Sequence, residues 1–375
     1  QLSGGVFRTL EADGRQAEHT LECGDVLCLL SHKYHNVTPV RNGYRHSLVL
    51  ELWQDAYDED SARMASDPES GFIGCAGMRA ARQAINDFSQ NCIEFTSVKV
   101  RDEIIQCLDL VEEFLANEHS GPAIRGLSFA SCSLNCSDLD KLSTALQTDL
   151  GQEITCFGLS KSVPVDCDAW QKMWAHLPEK AVWFDFGDNR LSDADVAHFL
   201  DDLLRYQELD KLYLDGNKIQ DLSRLCKVLP KSRITDLDLG DNNIDDANLA
   251  TLAAVLPDSA VRQLVLGTNP VTAAGAMNIV NVLRSTCIEV LYLDHTGTDD
   301  SCLASLATSL KGSKLCELHV DSTQITDAGV QGLIPLIDGS ELNFVDVGDN
   351  GISDDVLQFL ERACAAIHSE EDESS

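Results

Sequence analysis

The chain has 375 residues, 44% hydrophobic and 24% charged, values ordinary for a folded protein. Its formal net charge of −33 is not ordinary: it repels DNA, RNA and anionic membranes, and leaves a basic protein as the partner that electrostatics favours. No apolar run is long enough to span a bilayer and no signal-peptide pattern opens the chain. The fourteen cysteines are scattered rather than clustered, and read as reduced thiols in an intracellular space.

Residues 1–54 read as short strands at 6–10, 25–30, 37–40 and 47–53, with turns at Gly4-Gly5, Asp13-Gly14, Gly24 and Asn42-Gly43. The residues Gly4-Gly5-Val6-Phe7, Gly24-Asp25, His35 followed by Thr38-Pro39-Val40, Gly43 and Arg45 form a pattern. It resembles the closing strands of the double-stranded β-helix in 2-oxoglutarate/Fe(II) dioxygenases of the prolyl 4-hydroxylase type. The resemblance implies an iron ligand at His35 and, at Arg45, the planar fork of donors that holds the far carboxylate of 2-oxoglutarate. Non-haem iron of this kind needs two His and one carboxylate on one face. No His-x-Asp precedes His35, since His19 is followed by Thr-Leu and His32 by Lys-Tyr. The chain as it stands thus supplies one ligand of three and is inactive as a hydroxylase. Fe(II) and 2-oxoglutarate enter as cofactors only if the other half of the barrel is present. That half is expected upstream of Gln1; another chain, or packing against the repeats that follow, are the other completions of an otherwise open sheet edge.

Residues 55–72 are acidic, with Ser and Pro, and read as a linker. Residues 73–122 read as a helical connector. It has one possible helix at 76–88 and a better one at 100–116, where Ile104, Ile105, Leu108, Val111, Phe114 and Leu115 recur at helical spacing. The second helix is expected to cap the start of the domain that follows, because an open solenoid end exposes core.

Residues 123–368 repeat. Leu209-Asp-Lys-Leu-Tyr-Leu-Asp-Gly-Asn-Lys-Ile219 reads L-x-x-L-x-L-x-x-N-x-I, and copies start at 124, 154, 181, 209, 234, 261, 288, 315 and 342, the last five steps being 27 residues each. The apolar residues of each copy point into a shared core. The Asn, replaced by Cys132, Thr296 or Thr323 in some copies, bonds backbone groups of the neighbouring turn. Helices follow the strands: Asp245-Asp246 and Asp327 are placed as caps ahead of Leu249 and Val330. The period and the strand-then-helix order resemble leucine-rich repeats of the ribonuclease-inhibitor type. The fold class expected is therefore α/β: a curved solenoid of nine repeats, parallel strands inside and helices outside, preceded by the partial all-β segment. Residues 369–375 are an acidic tail.

Strand residues between the core positions should line the concave face. At the third position they include Trp183, Lys211, Asp236, Glu317 and Phe344; at the fifth, Asp185, Tyr213, Asp238, Tyr292, His319 and Asp346; two further on, Asp215, Asp294 and Asp321. Carboxylates interleaved with aromatic rings suit a Lys/Arg-rich protein through ion pairs and cation–π contact. The reading is a binding scaffold or a subunit of a multi-subunit complex, without nucleic acid or membrane insertion. The alternative is a hydroxylase whose repeats recruit a protein substrate. Asp236 and Asp238, two apart on one strand, suggest at most weak divalent-cation contact.

Overall fold

A strand of three residues buries one side chain and presents two, so it is stable only when its neighbours on both sides pair with it. The computed structural model shows how the repeats meet that requirement. It describes residues 92–116, 125–163 and 170–372, with short strands upstream; side chains are described for 93–116, 125–163 and 170–365. Upstream, β1 (Ser3–Gly4) pairs antiparallel with β5 (Val40–Asn42), and β2 (Phe7–Leu10) pairs antiparallel with both β3 (Gln16–His19) and β4 (His35–Val37). His35 opens β4 opposite Thr9. Arg45, the strands expected at 25–30 and 47–53, the linker at 55–72 and the helix expected at 76–88 lie outside the described residues.

The remaining strands are β6 (Ile73–Cys75), β7 (Cys92–Thr96), β8 (Gly126–Ala130), β9 (Cys156–Gly158), β10 (Trp183–Asp185) and β11 (Lys211–Tyr213). They continue with β12 (Asp236–Asp238), β13 (Gln263–Val265), β14 (Val290–Tyr292), β15 (Glu317–His319) and β16 (Phe344–Asp346). They form one open sheet in strict sequence order, β6 to β16, every neighbour parallel. The helices that alternate with them are α1 (Arg101–Ala116), α2 (Cys136–Leu146), α3 (Trp170–His176), α4 (Asp193–Asp201) and α5 (Ser223–Val228). After these come α6 (Asp246–Ala253), α7 (Ala273–Val280), α8 (Asp300–Ser309), α9 (Asp327–Ile337) and α10 (Asp354–Asp372). The described part is a leucine-rich-repeat solenoid. One hydrophobic core runs through it without a break, from Ile93 to Cys364.

The sheet starts earlier than the repeat pattern suggests. β6 and β7 extend it ahead of the first expected repeat, and Phe95 of β7 stacks on Phe129 of β8 with ring centroids 4.8 Å apart. The helix expected as a cap, α1, is therefore the helix of a β7–α1 unit and packs against α2. Its Arg101 forks onto the fully buried carboxylate of Asp138 in α2. The signature failed here because Gln90 and Val98 stand where Leu and Asn would.

The Asn residues behave as expected. Asn242 Nδ2 donates to Leu214 O, Leu239 O and Gly240 O, and its Oδ1 accepts from Ile219 N. Asn189, Asn217 and Asn269 repeat the pattern, each tying its turn to the rung before. Cys132 does part of this work, its Sγ donating to Phe95 O of the preceding rung. Ser162 does it too, its Oγ 2.7 Å from Phe129 O, although its repeat fits the pattern loosely. The Thr residues do not. Their hydroxyls are too short: Thr296 Oγ1 reaches Leu293 O of its own turn and Thr323 Oγ1 reaches Val320 O. Val271 N, left without the partner an Asn at 296 would supply, bonds Asn269 O instead.

The helix caps need one correction. Asp245 caps α6, accepting from Asn248 N at 3.0 Å. Asp327 does not cap its own helix; Thr326 does, accepting from Ala328 N. Asp327 instead reaches the next repeat and accepts from the Ser353 backbone and hydroxyl. Asp246 holds Thr272 and Asp300 holds Thr326 in the same way. Each such Asp in the first turn of one helix thus fixes the start of the next. Among the described residues no helix is long and apolar enough to cross a membrane.

Candidate protein-binding face

From β11 to β15 each strand buries its central residue and leaves the two flanking residues partly open. Register then fixes who neighbours whom. One row runs Trp183, Lys211, Asp236, Gln263, Val290, Glu317, Phe344. The parallel row runs Asp185, Tyr213, Asp238, Val265, Tyr292, His319, Asp346. The structure brings eleven of the sequence-predicted residues into two continuous lines; Asp215, Asp294 and Asp321 lie beyond the strand ends. Trp183 meets Tyr213 edge-on, centroids 5.9 Å apart.

Asp185 is the exception. It is 0% exposed, so it is not a contact residue for a partner. Its neighbours on the earlier rungs, Ser128 and Glu94, are buried as well. Asp185 Oδ1 accepts from Gly187 N at 2.9 Å, and Oδ2 has no hydrogen-bond partner. Burial, followed by the nearby carboxylates Glu94, Asp238 and Asp188, pushes its carboxyl up to about 7. Burial also raises Glu94, which accepts from Ser128 Oγ at 3.5 Å.

Two other Asp residues on this row repeat the turn bond: Asp238 accepts from Gly240 N and Asp346 from Gly348 N, both at 2.9 Å. This Asp-x-Gly turn has a plain signal in the sequence at 185–187, 238–240 and 346–348 that the repeat pattern overlooks. It commits one oxygen of each carboxylate to the fold.

Asp215 and Asp294 lie across from glycines of the preceding rung. A Cβ at Gly187 would come within 2.7 Å of Asp215 Oδ1, and one at Gly267 would overlap the Asp294 carboxylate. Asp321 sits beside Gly348 in a looser version of the arrangement. Burial, then Asp238, Asp185 and Asp188, raises Asp215 well above the usual carboxylate range. Asp185 and Asp215 are therefore the acids of this region that the fold makes harder to ionise.

The β14–β16 end differs. Tyr292 and His319 stack face to face, centroids 3.9 Å apart and planes at 8°, and His319 lies 5.3 Å from Phe344. Glu317 Oε2 is 3.7 Å from His319 Nε2, and Asp346 Oδ2 is 3.9 Å from Nδ1.

Among the described residues no group of three or more His, Cys, Asp or Glu is placed to hold a metal ion. The cysteines at 107, 132, 136, 156, 226, 287, 302, 316 and 364 are free thiols. Burial pushes Cys132 and Cys226 up to about 11, which keeps them as unreactive thiols. Of the iron site implied by the upstream resemblance, the given residues would supply His35 alone, since no His-x-Asp stands between residue 1 and His35.

No family model and no curated protein matches the sequence. Solved structures that match include an internalin from Listeria monocytogenes, 16% identical, with a TM-score of 0.42 over 72% of this chain. The match spans 65% of that internalin's length.

Proposed function

We propose that this chain is a protein-binding scaffold whose open sheet face, between β11 and β16, receives a basic protein segment. The observation that supports the reading most is the double row: Lys211 is the one Lys or Arg among its twelve residues from β11 to β16, against four carboxylates. A cationic segment running across the strands meets a carboxylate or an aromatic ring on most rungs. The net charge of −33 adds long-range attraction that steers the encounter.

Reversing Asp236, Glu317 and Asp346 to Lys tests it, with poly-arginine as the probe. Affinity at low salt should fall at least about tenfold, and the wild-type affinity should itself weaken steeply with ionic strength. Unchanged affinity in the triple variant would remove this face from consideration. The hydroxylase reading rests on the sequence resemblance at His35 and Arg45, and no step of that chemistry is derived for this chain.

A further inference from the structure

The two ends of the face are chemically unlike, and the β14–β16 end is built for one side chain. We infer that Tyr292, His319 and Phe344, bounded by Glu317 and Asp346, form a seat for a single arginine side chain of the basic partner. This rests on the scaffold reading and narrows it.

The geometry supplies each part. Phe344 is 45% exposed, although an aromatic ring gains most by being covered. It is held beside His319, which is in turn held flat against Tyr292. The three rings make a rigid step three strands wide, so little freedom is lost when a planar group settles on it. The two carboxylates approach different nitrogens of the His319 ring, and both are open, with side chains 45% and 41% exposed. Their distances to the ring nitrogens, 3.7 and 3.9 Å, are too long for hydrogen bonds. His319 Nε2 is buried and has no hydrogen-bond partner, and Asp346 Oδ1 is already taken by Gly348 N. The acceptors that remain are therefore Asp346 Oδ2 and the Glu317 carboxylate, one near each nitrogen of the imidazole.

A guanidinium matches that layout. It is flat, always charged, and donates from several nitrogens in one plane, so it can lie on Phe344 and reach both carboxylates. An ammonium has three donors but no planar face, so it cannot stack on Phe344 while donating in the same plane to both carboxylates.

The test uses the whole chain and a short peptide with one Arg between glycines, its Lys counterpart, and its citrulline counterpart, which keeps the shape and loses the charge. The readout is the NMR signal of the His319 ring. The Arg peptide should shift that signal with a defined affinity, the Lys peptide should bind more weakly, and the citrulline peptide should not bind. Phe344→Ala and Asp346→Asn should each weaken the Arg peptide about fivefold, the weight of one cation–π or exposed charged contact. Both positions are surface-exposed, and unchanged far-UV dichroism confirms that the variants fold. Equal binding of Arg and citrulline peptides, or an affinity indifferent to Phe344→Ala, overturns the seat. If poly-arginine still binds the face and loses affinity in the triple reversal, the seat alone has failed. If poly-arginine does not bind at all, the scaffold reading has failed with it.

Discussion

Single residues decide how the polar side of this solenoid behaves, and Asp185 shows it most sharply. The sequence places it on an open face; the structure buries it completely, with one carboxyl oxygen unpartnered and its titration lifted to about 7. A carboxyl raised in the folded state binds a proton more tightly there than in the unfolded chain. Its contribution is fully present below the unfolded value near 4 and is lost as pH rises through 7. Asp185→Asn removes the charge and keeps the shape. Urea unfolding should find the wild type less stable at pH 8 than at pH 5. The variant should recover on the order of 1–3 kcal/mol at pH 8 with little gain at pH 5. A variant weaker than wild type at both pH values would show that the ionised carboxylate is needed. Thr296 is a second decisive position. The sequence allows it as a stand-in for Asn, but its hydroxyl stops at its own turn and leaves Val271 N to a local bond with Asn269 O. Thr296→Asn should restore the cross-rung bond and stabilise the chain by about 1 kcal/mol, read as a higher urea midpoint. A lower midpoint would mean the turn has closed around the smaller side chain.

Strands were legible wherever the Leu-x-x-Leu-x-Leu spacing held: the nine repeats read from sequence correspond to β8 through β16. β7 was missed because Ile93 and Phe95 keep the inward alternation while the flanking Leu and Asn are absent. Helices were legible from their apolar spacing, but not their coupling. Asp246, Asp300 and Asp327 look like ordinary first-turn acids, and their bonds to Thr272, Thr326 and Ser353 one repeat on come from the stacking, which no local pattern encodes. Gly329 exposes the coupling. A helical Gly→Ala change ordinarily stabilises by about 1 kcal/mol. Here the new Cβ would overlap Asp300 Oδ1, which accepts from Thr326 N while Oδ2 accepts from Thr326 Oγ1. Gly329→Ala should therefore destabilise by roughly 1–2 kcal/mol, and Asp300→Ala should remove most of that penalty in a double-mutant cycle. Additive effects in the cycle would show that the clamp and the glycine are independent.

At the scale of the whole molecule the stack makes one face from residues that are 27 positions apart in sequence between β12 and β16. That the face exists could be read from periodicity. Which of its acids are buried could not, since burial depends on what the fold lays against each rung: Asp185 is fully buried and burial raises Asp215, whereas the Asp346 and Glu317 side chains stay open to water. The most direct measurement is hydroxyl-radical footprinting of the full chain with and without poly-arginine. Labelling of Phe344, Tyr292 and Tyr213 should fall on binding, while the exposed Leu336 and Phe359 of α9 and α10 keep their reactivity. Protection of Leu336 and Phe359 with the sheet-face rings unchanged would contradict the account.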